Sequence, residues 1–213
     1  SLQTIDLYNL RHTAGRFDIG TSATVVTTLT TNTTDASIVS SIDLAGRQLS
    51  QSVNLGNYTM NGVLELTNCL ITSITPPLGT LTAASNIRGN RFTSFASSLT
   101  LNGLFLAGEA GDLNEFIQID SGTITGSFNS ANASLNAIDL GSAVISSATT
   151  GIDLSNNAMT TAQVDAVWIE LDRVAIATGI ARTLNVGGTN DATSATSLTA
   201  RNSLISKGYT LVL

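Results

Sequence analysis

The segment Ile152-Asp153-Leu154-Ser155-Asn156-Asn157-Ala158-Met159 decides how the chain is read. In an extended strand alternate side chains face the same side. Ile152 and Leu154 then point to an interior while Asp153 points out. Ser155-Asn156-Asn157 supplies small polar residues for a sharp turn, and asparagine tolerates the left-handed backbone such a turn needs. Met159 brings an apolar side chain back to the interior. A strand this short cannot bury its own apolar face, so the segment makes sense as one rung of something that repeats.

The phrase does recur. It stands at Ile5-Asp6-Leu7, Ile42-Asp43-Leu44, Leu64-Glu65-Leu66, Ile117-Gln118-Ile119, Ile138-Asp139-Leu140 and Leu184-Asn185-Val186. Weaker copies are Phe17-Asp18-Ile19, Leu99-Thr100-Leu101 and Ser85-Asn86-Ile87. Five residues past the second apolar position another apolar residue usually follows: Leu49, Ile71, Phe92, Leu106, Ile124 and Ile145. The steps between second apolar positions are 22 from Leu44 to Leu66, 21 from Leu66 to Ile87 and 21 from Ile119 to Leu140. Shorter steps intervene: 14 from Ile87 to Leu101, 18 from Leu101 to Ile119 and 14 from Leu140 to Leu154. The pattern predicts an irregular parallel β-solenoid over residues 1–150, with all these phrases on one ladder. The long step from Leu7 to Leu44 holds a Thr-rich segment, 24–34, read as an extra coil or a surface excursion. Gly46, Asn68, Gly89-Asn90, Gly122, Gly141 and Asn156-Asn157 mark turns. Pro76-Pro77 is a loop, because proline cannot donate to a strand ladder.

From residue 151 to 213 the pattern becomes strand, helix, strand, helix, strand. Thr160 with Gln163 fits a capping box. Val164, Val167, Trp168, Leu171 and Val174 share one helical face, and Gly179 is placed to stop that helix. After Leu184-Asn185-Val186 a second helix is expected over about 192–207, with Leu198, Arg201, Leu204 and Ile205 at helical spacing. Gly208 ends it, and residues 209–213 read as a closing strand. Such a unit caps an array whose last coil would otherwise expose an apolar face and an unpaired edge.

The Ile152–Met159 segment resembles the L-x-L-x-x-N-x-L signature of leucine-rich repeats. Ser85-Asn86-Ile87-Arg88-Gly89-Asn90-Arg91-Phe92 keeps the asparagine and the trailing apolar residue but has Ser85 at the first apolar place. Most other copies lack the asparagine; Leu140 is followed by Gly141-Ser142-Ala143. A regular asparagine ladder is therefore not expected. Residues 151–213 are similar to the terminal unit of leucine-rich-repeat-like proteins of phage virions and bacterial surface proteins. The fold expected is mainly β with C-terminal helices: an irregular leucine-rich-repeat-like parallel β-solenoid with an α/β C-terminal cap. The resemblance implies a virion component, such as a tail fibre, a receptor-binding protein or a capsid-decorating protein. It transfers no binding residue, because it rests on scaffold positions.

Composition narrows the chemistry. Charged residues are 11% of the 213, against roughly 25% in an ordinary soluble domain. The net charge is −6 and no basic cluster stands out, which argues against nucleic acid and anionic membrane surfaces as partners. No apolar run approaches the roughly 20 residues of a membrane-spanning helix, so no membrane insertion is expected. One cysteine, Cys69, and one histidine, His12, leave no intrachain disulfide and no four-cysteine or histidine-rich metal site. His12 reads as a loop histidine. No G-x-S-x-G elbow, P-loop, EF-hand or G-x-G-x-x-G pattern occurs. No catalytic residue, metal or cofactor is expected.

Two carboxylate sets remain. Glu109, Asp112, Glu115 and Asp120 could serve a solenoid polysaccharide-degrading enzyme, although a loop between coils is the plainer reading. Asp43, Glu65, Asp139 and Asp153, with Asp6, are the outward residues of the strand phrase. On one ladder they form an acidic row, either a solvated face or a site for a cation or glycan. Tyr8, Tyr58 and Phe105 are aromatics that stack on sugars or pack on the ladder. The function expected is that of a non-catalytic structural or attachment protein of a virion. Its partners are other virion proteins or a host-surface glycan or protein, and it works as a homo-oligomer or part of a larger assembly. The alternative is a secreted or surface-anchored bacterial repeat protein, extracellular or on the cell surface, that binds glycan or protein.

Overall fold

The computed structural model describes residues 4–6, 12–18, 28–30, 37–46, 49, 52–82, 85–91, 94–97, 99–101, 105–106, 116–119, 123–179 and 181–213. The chain is a parallel β-solenoid of about 4 turns with two C-terminal helices. Each coil passes through three short strands, and equivalent strands of successive coils pair in parallel, giving three stacks. The first stack runs Ser37–Asp43, Leu64–Glu65, Ser85–Asn86, Phe105–Leu106, Ser127–Asn129, Gly151–Asp153, Arg182–Asn185 and Tyr209–Val212. The second holds Ser52–Asn54 paired with Ser73–Thr75, and Ser94–Ser97, Phe116–Ile119 and Ala137–Asp139 paired in that order. The third follows Tyr58–Gly62, Leu78–Leu81, Leu99–Leu101, Thr123–Ile124 and Val144–Ile145.

Three stacks revise the single ladder expected from sequence. Leu44, Leu66 and Leu154 do lie along one line. Their amides continue the first stack by donating to the carbonyls of Glu65, Asn86 and Asn185. Leu140 does not belong to that line: it follows Asp139 in the second stack, in register with Ile119 by the pairing of Gln118 with Asp139. Leu101 belongs to the third stack. The 14-residue steps were therefore distances between stacks, while the 21- and 22-residue steps were true coil periods. All three stacks still share one interior. Ile42, Leu64, Phe128, Ile152, Leu140, Ile145 and Leu154 are all buried in one apolar cluster. Leu49, Ile71, Ile124, Ile145 and Met159 return to it as expected. Phe92 lies outside the described residues, as do the side chains of Leu101 and Leu106.

A polar corner follows the first-stack strands Leu64–Glu65, Ser85–Asn86, Gly151–Asp153 and Arg182–Asn185. Asn90 Oδ1 accepts from the Ile71 amide at 3.0 Å, while its Nδ2 donates to the Leu66 and Ile87 carbonyls at 2.9 and 2.7 Å. Asn157 Oδ1 accepts from the Ala133 and Leu135 amides at 2.7 and 3.1 Å, and its Nδ2 donates to Ser130 and Leu154. Asn190 repeats this with the Asn157 and Met159 amides and the Leu154 and Val186 carbonyls. The Cys69 thiol donates to the Leu44 carbonyl from the equivalent place. The corner backbone is left-handed on both sides of this position, at Asn68 and Leu70, Asn132 and Ser134, and Asn156 and Ala158. Such turns direct main-chain amides and carbonyls inward, and the buried asparagine satisfies them. The corner place is thus filled by Cys69, Asn90, Asn157 and Asn190 but by the buried Ala133 after Ser127–Asn129, so the asparagine ladder is interrupted, as the sequence leads one to expect. Asn190 completes it from the Gly187-Gly188 turn.

At the C-terminal end the crossovers become helical. The first helix, α1 (Thr161–Val174), buries Val164, Val167, Trp168, Leu171 and Val174 as expected, and Asp165 as well. The Thr160 amide and hydroxyl both donate to Gln163 Oε1, at 2.8 and 2.9 Å. Gly179 is not its stop. Ala175 turns extended, pairs with Ile145, and Ile176 donates to the Ile145 carbonyl, so the helix ends where the chain rejoins the third stack. A 3-10 turn at Ala195–Ser197 leads into α2 (Leu198–Ser206). This helix buries Ala200 and Leu204, whereas Leu198 and Ile205 face outward, at 48% and 57% exposure. Gly208 follows at φ +96°.

The second stack meets α1 at its edge. The Leu140 amide, which another coil's carbonyl would otherwise accept, donates to Glu170 Oε1 at 2.5 Å. Glu170 is held there by the Arg173 guanidinium. Beyond the coils the first stack continues through Arg182–Asn185 and Tyr209–Val212, and the third through the single bridge of Ala175 to Ile145.

Candidate functional site

The first-stack strands end in a row of mostly polar residues. In successive register stand Asp18, Asp43, Glu65, Asn86, Leu106, Asn129, Asp153, Asn185 and Val212. Of the four carboxylates picked from sequence, Asp43 and Glu65 are neighbours here. Asp153 lies four rungs further on, about 19 Å at the usual strand spacing. Asp139 is elsewhere, in the second stack beside Gln118. The acidic row is therefore split, and amides fill most of the gap. Asp6 pairs with Thr30 in a separate two-stranded sheet.

Six members of the row, Asp43, Glu65, Asn86, Asn129, Asp153 and Asn185, perform the same local task. In each, a side-chain oxygen accepts from the backbone N–H two residues on. Asp43 takes Ala45 at 2.9 Å, Glu65 takes Thr67 at 3.2 Å, Asn86 takes Arg88 at 3.1 Å and Asn129 takes Ala131 at 3.0 Å. Asp153 takes Ser155 at 3.0 Å and Asn185 takes Gly187 at 3.1 Å. Asp139 does the same for Gly141 at 2.8 Å. At the Asp and Asn positions this is the Asx turn, in which a short polar side chain satisfies an amide where the strand breaks off, and Glu65 makes the same bond with a longer side chain. The task explains why Asp, Asn and Glu recur at the outward place of the phrase. It occupies one oxygen of each carboxylate; at Asp153 the other makes no hydrogen bond with any described residue.

Between Asn129 and Asn185 the row borders a shallow depression of about 270 Å³, lined by Ser127, Asn129, Gly151, Asp153, Thr183 and Asn185 together with Phe128 and Ile152. Sequence reading found Asp153 but not Asn129. Ser127-Phe128-Asn129 has a single apolar residue and does not match apolar–x–apolar. Its signal is the strand-end amide two residues before a small residue, Ala131.

A second groove, of about 440 Å³, lies beside α1 and is lined by Thr161, Ala162, Asp165, Ala166, Ile169, Ser194 and Thr196. Asp165 at its wall is buried. It accepts from the Thr193 hydroxyl at 2.8 Å, the Ser194 amide at 3.0 Å, the Ser197 hydroxyl at 2.5 Å, and the Ser194 hydroxyl. Burial alone would push this carboxyl up; the bonds from Ser194, Ser197 and Thr193 outweigh it and hold it far below the usual carboxylate range. Asp165 thereby anchors the turn that starts α2.

The remaining candidates fall as follows. Glu109, Asp112, Glu115 and Asp120 lie outside the described residues, as do Tyr8 and the side chain of Phe105. Tyr58 is fully buried and belongs to the core. His12 sits in a strand, His12–Asp18, not in a loop. Among the described residues no group of three or more His, Cys, Asp or Glu is placed to hold a metal ion. No helix among them is long and apolar enough to cross a membrane. Compared with protein-family models, with curated proteins and with solved structures, the chain matches none.

Proposed function

We propose that the chain is a non-catalytic structural or attachment component of a virion, of the leucine-rich-repeat-like kind found in phages and on bacterial surfaces. The observation that carries the family resemblance is the corner ladder of Cys69, Asn90, Asn157 and Asn190. Cys69, Asn90 and Asn157 stand at the N/C place of the leucine-rich-repeat phrase and Asn190 one residue beyond it, with Ala133 interrupting the series. Support for the role comes from the outer surface. Stacked coils present long rigid rows of side chains, and here those rows are rich in hydroxyls and amides with few charges. Such a surface suits reversible contact with neutral partners more than with nucleic acid. The partners in this reading are other virion proteins or a host-surface glycan or protein, with the chain acting as a homo-oligomer or within a larger assembly.

Particles purified from cells carrying the gene test it. Mass spectrometry of the particle band is expected to contain the chain, and gold-labelled antibody to place it on the particle surface. Its absence from every particle fraction overturns the reading.

A further inference from the structure

The depression between Ser127 and Asn185 combines two features that packing does not require. The first is Gly151, in register between Ser127 and Thr183 on the outer side of the first stack. A Cβ added there would meet only the Thr183 carbonyl, at an ordinary 3.4 Å, and its φ is not left-handed. The register on either side shows no bulge. A strand glycine with neither bulge nor steric need marks a place for close approach from outside. The second feature is the set of free atoms along the row. Asn129, Asp153 and Asn185 each commit Oδ1 to an amide two residues on, which also fixes which amide atom is Nδ2. Asn129 Nδ2, Asp153 Oδ2 and Asn185 Nδ2 make no hydrogen bond with any described residue. They stand about 4.8 Å apart, one per rung, as donor, acceptor, donor. Their orientation is set before any ligand arrives, which lowers the entropic cost of binding.

We propose that this depression binds a residue of a neutral glycan. Adjacent sugar hydroxyls both donate and accept, so they can meet an alternating comb, with the ring edge seated over Gly151, the Thr183 hydroxyl on one side and on the other the Ser127 hydroxyl, itself paired with that of Thr150 at 2.6 Å. No Lys or Arg lines the depression, so an acidic ligand would meet only the Asp153 charge. A divalent cation needs about six to eight oxygen ligands, and one carboxylate oxygen is on offer. The inference rests on the attachment reading and gives it a ligand class and a location.

Two variants of the full chain test it on a printed array of neutral oligosaccharides built from glucose, galactose, mannose, rhamnose and N-acetylglucosamine. Gly151→Val fills the notch. Asp153→Asn keeps the turn acceptor, as Asn129 and Asn185 show, but turns the comb's central acceptor into a donor. The wild-type chain is expected to be retained on at least one glycan. Each variant should weaken retention about tenfold or more, the order expected for losing a charged hydrogen bond, with an unchanged thermal melt. If Gly151→Val lowers the melt, Asp153→Asn alone decides. No retention of the wild type, or retention unchanged in Asp153→Asn, overturns the site. Particle mass spectrometry run in parallel separates the two readings: a blank array with the chain present in particles rejects this site only, whereas absence from particles rejects the attachment role.

Discussion

The coils up to Leu154 and the segment after it use the same corner but different crossovers. In the coils, first-stack partners such as Glu65 and Asn86, or Asn129 and Asp153, lie 21 and 24 residues apart, joined through two more strands. Beyond Asp153 the partners are Asn185 and then Val212, 32 and 27 residues on, and the crossovers are α1 and α2. The Asx turn and the corner asparagine continue across that boundary, at Asn157 and, one residue further from its strand, at Asn190. One stack is thus specified locally, rung by rung, while the rest of each coil is free to be strand or helix as long as it covers the interior. Breaking the corner should therefore hurt both regions, and breaking a helix contact should hurt one.

The largest effect is expected at the junction itself. Asn157→Ala strands the amides of Ala133 and Leu135 and the carbonyls of Ser130 and Leu154, which belong to two successive coils. A buried unsatisfied group costs about 1–3 kcal/mol, and partial relaxation brings the total to roughly 3–5 kcal/mol. Urea denaturation followed by far-ultraviolet circular dichroism and by fluorescence of Trp168, the sole tryptophan and a buried α1 residue, should show both transitions moving together. Movement of one alone would mean the corner does not join the two regions.

Glycines sharpen the same point. Gly188, at φ +81°, would place a Cβ 2.0 Å from Asn156 Oδ1. Gly46, at φ +70°, has nothing within 4 Å of its Cβ. Gly46→Ala carries only the left-handed backbone penalty of about 1 kcal/mol. Gly188→Ala adds a collision with the corner below it and should cost about 2–3 kcal/mol. Equal losses would show that stacking of corner on corner contributes nothing.

The rung was legible in sequence because its apolar residues alternate with a period of two, and α1 because Val164, Val167, Trp168, Leu171 and Val174 keep a helical period. What sequence could not separate was the stacks. Ile138-Asp139-Leu140 and Ile152-Asp153-Leu154 are nearly the same phrase, yet one pairs with Phe116–Ile119 and the other with Ser127–Asn129. Only nonlocal register distinguishes them. That is also why the four carboxylates read as one row resolve into two adjacent, one distant and one in another stack. Asp165 escaped notice because its partners, Thr193, Ser194 and Ser197, lie 28 to 32 residues away and leave no periodic trace.

Asp165 predicts a pH signature confined to the C-terminal segment. Its folded pKa lies below the unfolded value of about 3.9. Its contribution is therefore complete above the unfolded value and is lost as pH falls toward the folded one. Asp165→Asn should cost about 2 kcal/mol at pH 7, through weaker hydrogen bonds from Thr193, Ser194 and Ser197. The gap to the wild type should narrow below about pH 4. Trp168 fluorescence in urea across pH 3–7 measures it; a gap that stays constant down to pH 3 would remove the carboxylate from the role given it here.

The smallest effect expected concerns how the second stack ends. Within the coils, the Leu66 amide finds the Asn86 carbonyl of the next rung. At the last second-stack rung the Leu140 amide finds Glu170 on α1 instead. A helix carboxylate thus stands in for a missing coil and keeps a sheet edge from remaining an open template. Glu170→Ala removes that acceptor and frees Arg173 from its partner. Because Glu170 is partly exposed, water can replace it, so the cost should be only about 1 kcal/mol. Hydrogen exchange should then quicken at the Leu140 amide while the Leu154 amide, bonded to the Asn185 carbonyl of the continuing stack, keeps its protection. If both amides quicken equally, the stacks open as one cooperative unit, and the local independence of the first stack is wrong.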